Sequence, residues 1–196
     1  MEGYKAKDFA IIIGAVIVIV YAIETFSKKA AAQKPPVVKK DGRNIIIGDS
    51  HGVGISAITK SAKAEKGLAK SGWTLTNVLA ALKGKGVDNN VARVFISIGT
   101  NGQFSASDDV TTFINTIKAK FPNATIYVYG GSYGWSGSRT RATLEDRFTA
   151  YYKRFADMGV YVLKNKLGYF TTDAGAHSVT TPQAKAIGAE IDDLSK

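Results

Sequence analysis

The chain has 196 residues, 45% hydrophobic and 21% charged, with a net charge of +10 and no cysteine. That length allows one domain plus an appendage, the apolar fraction argues against disorder, and the missing cysteine excludes disulfides, thiol nucleophiles and thiolate metal sites. Eight Lys/Arg face four Asp/Glu in residues 1–43, and eighteen face twelve in 44–196; this spread favours anionic surfaces, but without a basic run interleaved with aromatics it indicates no specific nucleic acid.

Phe9 to Ile23 reads FAIIIGAVIVIVYAI, and the stretch up to Phe26 is interrupted only by Glu24. Eighteen helical residues span about 27 Å, close to the hydrocarbon thickness of a bilayer. Lys7 and Lys28 flank the segment and no polar stripe breaks it, so residues 1–27 are expected to form a single-pass anchor contacting membrane lipid through 9–26. A cleaved signal peptide is the rival, with Ala30-Ala31-Ala32 as the cleavage pattern; Lys28 and Lys29 before those alanines favour the anchor. The lysines after the segment favour a cytoplasmic domain. Residues 28–43, with Pro35-Pro36 and several lysines, read as a solvated linker.

The domain is placed at 44–196. Asn44–Gly48 is an apolar run ending at a turn and reads as a buried strand. Val53 to about Lys63 reads as a helix, Lys66–Ser71 as a short strand, and Thr74–Lys83 as a helix with Leu75, Val78, Leu79 and Leu82 on one face. Val91–Ile98 (VARVFISI) is the clearest strand. Asp108–Phe121 reads as a helix capped by Ser107 and stopped by Pro122. Thr125–Tyr129, Arg139–Met158 and Val160–Leu163 follow as strand, helix and strand. Pro182–Leu194 closes the chain as a helix, with Thr181 as its cap. This alternation predicts an α/β three-layer sandwich around a parallel five-stranded sheet, with ligands bound at the carboxyl ends of the strands.

Three motifs fall at those ends. In Gly48-Asp49-Ser50-His51-Gly52, a serine follows a buried strand and opens a helix, whose N–H groups suit an oxyanion. The run also fits G-x-S-x-G, but it closes the first strand of a small domain, unlike the elbow of α/β-hydrolases. Gly99-Thr100-Asn101-Gly102 follows the strongest strand, where the Asn101 amide can aim at the same mouth. Asp173-Ala174-Gly175-Ala176-His177 precedes the last helix. With two histidines in the chain, a general base of that type is His51 or His177. His177 is favoured, because His51 is adjacent to Ser50 and such a neighbour usually points elsewhere. Asp173 is placed to orient the His177 imidazole.

Together these residues resemble the SGNH/GDSL hydrolase family, over about residues 44–194 and in the family's order. Ser50 matches the nucleophile block, Gly72 in Ser71-Gly72-Trp73 the oxyanion glycine, Asn101 the asparagine block and His177 the histidine block. The resemblance implies a flavodoxin-like sandwich and a serine-ester mechanism. Ser50 would attack an acyl carbonyl, His177 would carry the proton, and the Ser50 and Gly72 N–H groups with Asn101 would hold the oxyanion. Two positions depart from the pattern. Gly102 stands where the family usually has Asp, and Ala174 stands three residues before the histidine, where it usually has the acid; Asp173 lies four before.

Gly130–Gly137 (GGSYGWSG) reads as a loop at the pocket rim, where Tyr133 and Trp135 either receive a sugar or acyl chain or pack back on the domain. Two functions are thus carried forward: a membrane-anchored serine esterase or O-deacetylase acting on an acylated glycan or lipid, and a non-catalytic SGNH-like module of an envelope or virion assembly. Hydrolases of the resembling kind face outward, against the charge pattern, so the side of the membrane stays open. The chain has no G-x-G-x-x-G or P-loop pattern, which argues against a nucleotide or flavin cofactor, and its two histidines leave few ligands for a metal.

Overall fold

The computed structural model describes residues 41–135 and 140–196. In chain order the elements are β1 (Arg43–Gly48), α1 (Ser50–Ile58), β2 (Ala62–Ala69), α2 (Leu75–Lys83), β3 (Val91–Ser97), α3 (Val110–Lys120), β4 (Thr125–Tyr133), α4 (Arg141–Asp157), β5 (Tyr161–Tyr169), α5 (Asp173–His177) and α6 (Pro182–Leu194). All five strands are parallel, in the order β2-β1-β3-β4-β5. This is the flavodoxin-like arrangement, and its order reverses between β1 and β3, where such sheets open a crevice.

Every residue of β3 is buried, as a strand covered on both faces requires. Val94, Ile96 and Ile98 join Leu75, Val78 and Leu82 of α2, Phe113 and Ile117 of α3 and Phe148 and Phe155 of α4 in one apolar layer. Phe95 faces the other way, joining Ile55 of α1, Tyr127 and Tyr129 of β4 and Ile187 and Ile191 of α6. Truncating Phe113 or Phe155 to alanine would cost about 3–5 kcal/mol.

Local chemistry sets the element ends. Gly48 leaves β1 at φ +133°, and a Cβ there would meet the Ser97 carbonyl oxygen at 1.7 Å; only glycine allows this turn beside β3. Asp49 then caps α1, accepting the His51 N–H at 3.0 Å. Asp192 of α6 ties that helix to the α1–β2 turn, accepting the N–H groups of Lys60 and Ser61 at 3.0 Å and the Ser61 hydroxyl at 2.6 Å.

Several expected bounds move. β1 starts at Arg43, one residue before the expected domain start, because the Arg43 N–H is paired to the Asn90 carbonyl and its guanidinium to Glu65 and Asp88. The first helix opens at Ser50 rather than Val53 and ends at Ile58, since residues 62 and 63 pair with β1. Asp109, not Ser107, caps α3 by accepting the Thr112 N–H. β4 runs on to Tyr133 and β5 to Tyr169, so Gly130–Tyr133 is strand and not loop. Among the described residues no helix is long and apolar enough to cross a membrane; the expected anchor at 9–26 and most of the linker lie outside them.

Candidate active site

Ser50 is the first residue of α1, where a helix leaves its N–H groups without intrahelical partners. Its Oγ lies 2.9 Å from Nε2 of His177, 127 residues away in sequence. The other ring nitrogen, Nδ1, is 3.1 Å from the Asp173 carboxylate and 3.0 Å from the Asp173 carbonyl. With two acceptors against it, Nδ1 carries the hydrogen, and Nε2 keeps its lone pair for the Ser50 hydroxyl. Thr172 caps α5 by accepting the Gly175 N–H, so Asp173 and His177 stand one turn apart on the same short helix. The Asp173 side chain is 69% exposed, a wet position from which a carboxylate orients its partner more weakly than a buried one.

Asn101 follows β3 across the crevice, and its Nδ2 donates to the Trp73 carbonyl at 3.0 Å. Gly72, at φ +78°, lies in the turn after β2. That turn sits beside the end of β1, because Ala69 pairs with Gly48 and the Lys70 N–H donates to the Gly48 carbonyl. Asn101 therefore reaches the loop that carries Gly72. At the departing position, a Cβ on Gly102 would lie 3.8 Å from the Asp108 carboxylate, which accepts the Tyr151 hydroxyl at 2.7 Å.

A cavity of about 160 Å³ is lined by Thr100, Asn101, Phe104, Ser132, Trp135 and Leu144 among others; Ser50 and His177 do not line it, and Trp135 is its link to the pair. Trp135 stands edge-on to His177, ring centroids 6.0 Å apart. Tyr133 forms part of the cavity wall but is only 5% exposed and packs against Phe104 and Phe148. Burial, then its hydrogen bond to Glu145, pushes the Tyr133 phenol up to about 12, so it stays a donor.

Three residues passed over in the sequence complete the site. His51 is buried, its ring stacked on that of His177 at 4.9 Å and 10°. Ser132, fully buried in β4, lies 2.7 Å by its hydroxyl from Nε2 of His51. Phe104 sits under the cavity at φ +55°, after Gln103 at +48°, a left-handed pair that is uncommon away from glycine. The Phe104 N–H donates to the Gly99 carbonyl at 2.8 Å, which holds that turn.

No family model matches the sequence, and no curated protein matches it. Solved structures do match in fold. A GDSL-like lipase from Bacteroides thetaiotaomicron superposes with a TM-score of 0.52 at 14% identity, covering 88% of this chain and 96% of its own. A lipase/acylhydrolase from Enterococcus faecalis gives 0.51 at 12% identity, over 78% and 94%. A Streptococcus pneumonia protein provisionally described as a platelet activating factor gives 0.53 at 16%, over 98% and 100%. The fold of the described residues is thus the α/β fold of GDSL-type lipases and acylhydrolases.

Proposed function

We propose that the chain is a divergent SGNH hydrolase, a membrane-anchored serine esterase or O-deacetylase that removes a short acyl group from a glycan or lipid. The observation that carries this reading is the 2.9 Å approach of Ser50 Oγ to His177 Nε2, with the far nitrogen held by Asp173. Family-ordered motifs and the shared fold support it.

In the reaction, His177 Nε2 takes the Ser50 hydroxyl proton as Oγ bonds to the acyl carbon. Negative charge develops on the carbonyl oxygen, which receives the Ser50 and Gly72 N–H groups and the Asn101 amide. One Nδ2 hydrogen of Asn101 is held by the Trp73 carbonyl, and its second N–H is the one that turns to the oxyanion. Collapse of the intermediate returns the proton from His177 to the departing alcohol, leaving an acyl-serine. Water, deprotonated by the same nitrogen, then frees the acid and restores Ser50.

The cavity supports a short acyl group, being close to the roughly 150 Å³ of a cavity that holds benzene. Residues 9–26 supply the anchor in this reading, and a cell envelope or membrane-containing virion is the setting. A Ser50 hydroxyl beyond reach of His177 would support the non-catalytic reading, and the 2.9 Å contact withholds that support. The test is hydrolysis of p-nitrophenyl acetate by the full-length chain and by Ser50→Ala. The expected loss is on the order of 10³-fold or more, and equal rates overturn the reading. Resistance of the membrane-bound chain to alkaline extraction, lost when residues 9–26 are deleted, tests the anchor.

A further inference from the structure

His51 takes no part in the proton path from Ser50 to His177, yet it is among the most firmly held side chains of the site. We propose that His51 is a positioning residue: it forms a fixed, flat floor that keeps the His177 ring in the plane from which Nε2 reaches Ser50. For its chemistry this rests on the hydrolase reading above.

The need for such a floor follows from where His177 sits. It lies on a helix of five residues, with its side chain 38% exposed and its carboxylate partner still more so. The terminal torsion of a histidine is broad, a wet carboxylate on the same turn restrains it little, and the Asp173 carbonyl holds one ring nitrogen without fixing the tilt of the ring. The buried side of the ring is where restraint is available. There His51 lies within 10° of parallel at 4.9 Å, and Trp135 stands edge-on to both rings, 6.5 Å from His51 and 6.0 Å from His177.

His51 is itself anchored to the sheet. Its N–H is held by the Asp49 cap and its Nε2 meets the Ser132 hydroxyl, while its buried Nδ1, 3.5 Å from the Asp49 carboxylate, makes no hydrogen bond among the described residues. Ser132 is clamped in turn by Thr100, whose hydroxyl accepts the Ser132 N–H and donates to the Ser132 carbonyl, both at 3.1 Å. A continuous path thus runs from the ends of β3 and β4 through Thr100, Ser132 and His51 to His177. The charged or titratable groups against His51 are Asp49 from its own turn and His177 from α5.

Because the chain has two histidines, His51→Ala and His51→Phe each leave His177 as the sole imidazole signal. The full-length chain in detergent micelles is examined by histidine ¹⁵N–¹H correlation and by the rate at which a fluorophosphonate labels Ser50. The wild type and His51→Phe are expected to show His177 as a single Nδ1–H tautomer, and His51→Ala an averaged one. His51→Ala should lower the maximal labelling rate by about tenfold to a hundredfold, with half-saturation little changed. His51→Phe, which restores a flat ring, should recover most of that loss. Ser132→Ala, which frees the floor without removing it, should fall between. A single tautomer and an undiminished rate in His51→Ala, or equal losses in the alanine and phenylalanine variants, overturn the proposal. A wild-type chain that the probe does not label overturns the hydrolase reading instead, and the tautomer spectra still decide the role of His51.

Discussion

The hydroxyl of Tyr152 accepts the Gly131 N–H at 2.8 Å while donating to the Ile98 carbonyl at 2.7 Å, joining the upper ends of β4 and β3 from below. All three groups are buried, so Tyr152→Phe would leave a donor and an acceptor without partners. A loss of about 2 kcal/mol in unfolding free energy is expected, read from urea or thermal unfolding of the full-length chain. A loss of a few tenths would mean that water or a backbone shift replaces the bridge.

Asp173 is an exposed acid whose main-chain carbonyl also faces Nδ1 of His177. Replacing the side chain leaves that carbonyl in place. Asp173→Ala should therefore lower kcat/KM for p-nitrophenyl acetate by about tenfold or less, against roughly 10⁴-fold when a buried triad aspartate is neutralised. A drop of that larger size would assign the carboxylate the full weight of a triad acid.

In the proposed function the cavity beside Trp135 receives the acyl group and limits its size. Acetyl and butyryl esters of p-nitrophenol should be turned over at least tenfold faster than the palmitoyl ester in detergent solution, since about 160 Å³ holds roughly the volume of a benzene ring and not a long chain. The reverse preference would place the acyl chain elsewhere.

Asp192 gives a pH signature. Burial alone would raise its carboxyl, but hydrogen bonds from the Ser61 hydroxyl and from the Ser61 and Lys60 N–H groups outweigh it and hold the group below the ordinary carboxylate range. A depressed folded-state pKa stabilises the fold above the unfolded pKa, near 3.9, and that contribution is lost as pH falls through the folded value. Asp192→Asn should thus cost about 1 kcal/mol at pH 7, with the gap to wild type closing below pH 4. Unfolding curves at pH 7 and pH 3 measure it.

The central strand, the serine turn and the last helix were readable because each carries its own local signal: a run of β-formers, a glycine-bounded turn, and Thr181 before Pro182. The far end of β4 was not. Gly130-Gly131-Ser132 has the composition of a loop, yet glycine stands at 131 because Thr100 presses in, 2.2 Å from where a Cβ would be. Close packing and looseness call for the same residue. The five residues of α5 are too few to show a period, and the Thr172 cap was the available sign. His51 was set aside as a neighbour of Ser50. On a helix, adjacent side chains diverge by about 100°, so Ser50 opens toward solvent while His51 turns inward and meets His177 from beneath.

Base and carboxylate ride together on α5, a single turn of chain. In the proposed reaction, anything that lifts this turn from the sheet removes both at once and leaves Ser50 an ordinary alcohol. The hydroxyl and the groups assigned to the oxyanion in that reaction sit on α1 and on the turns after β2 and β3, so displacing α5 would disarm the protein while leaving the sheet in place.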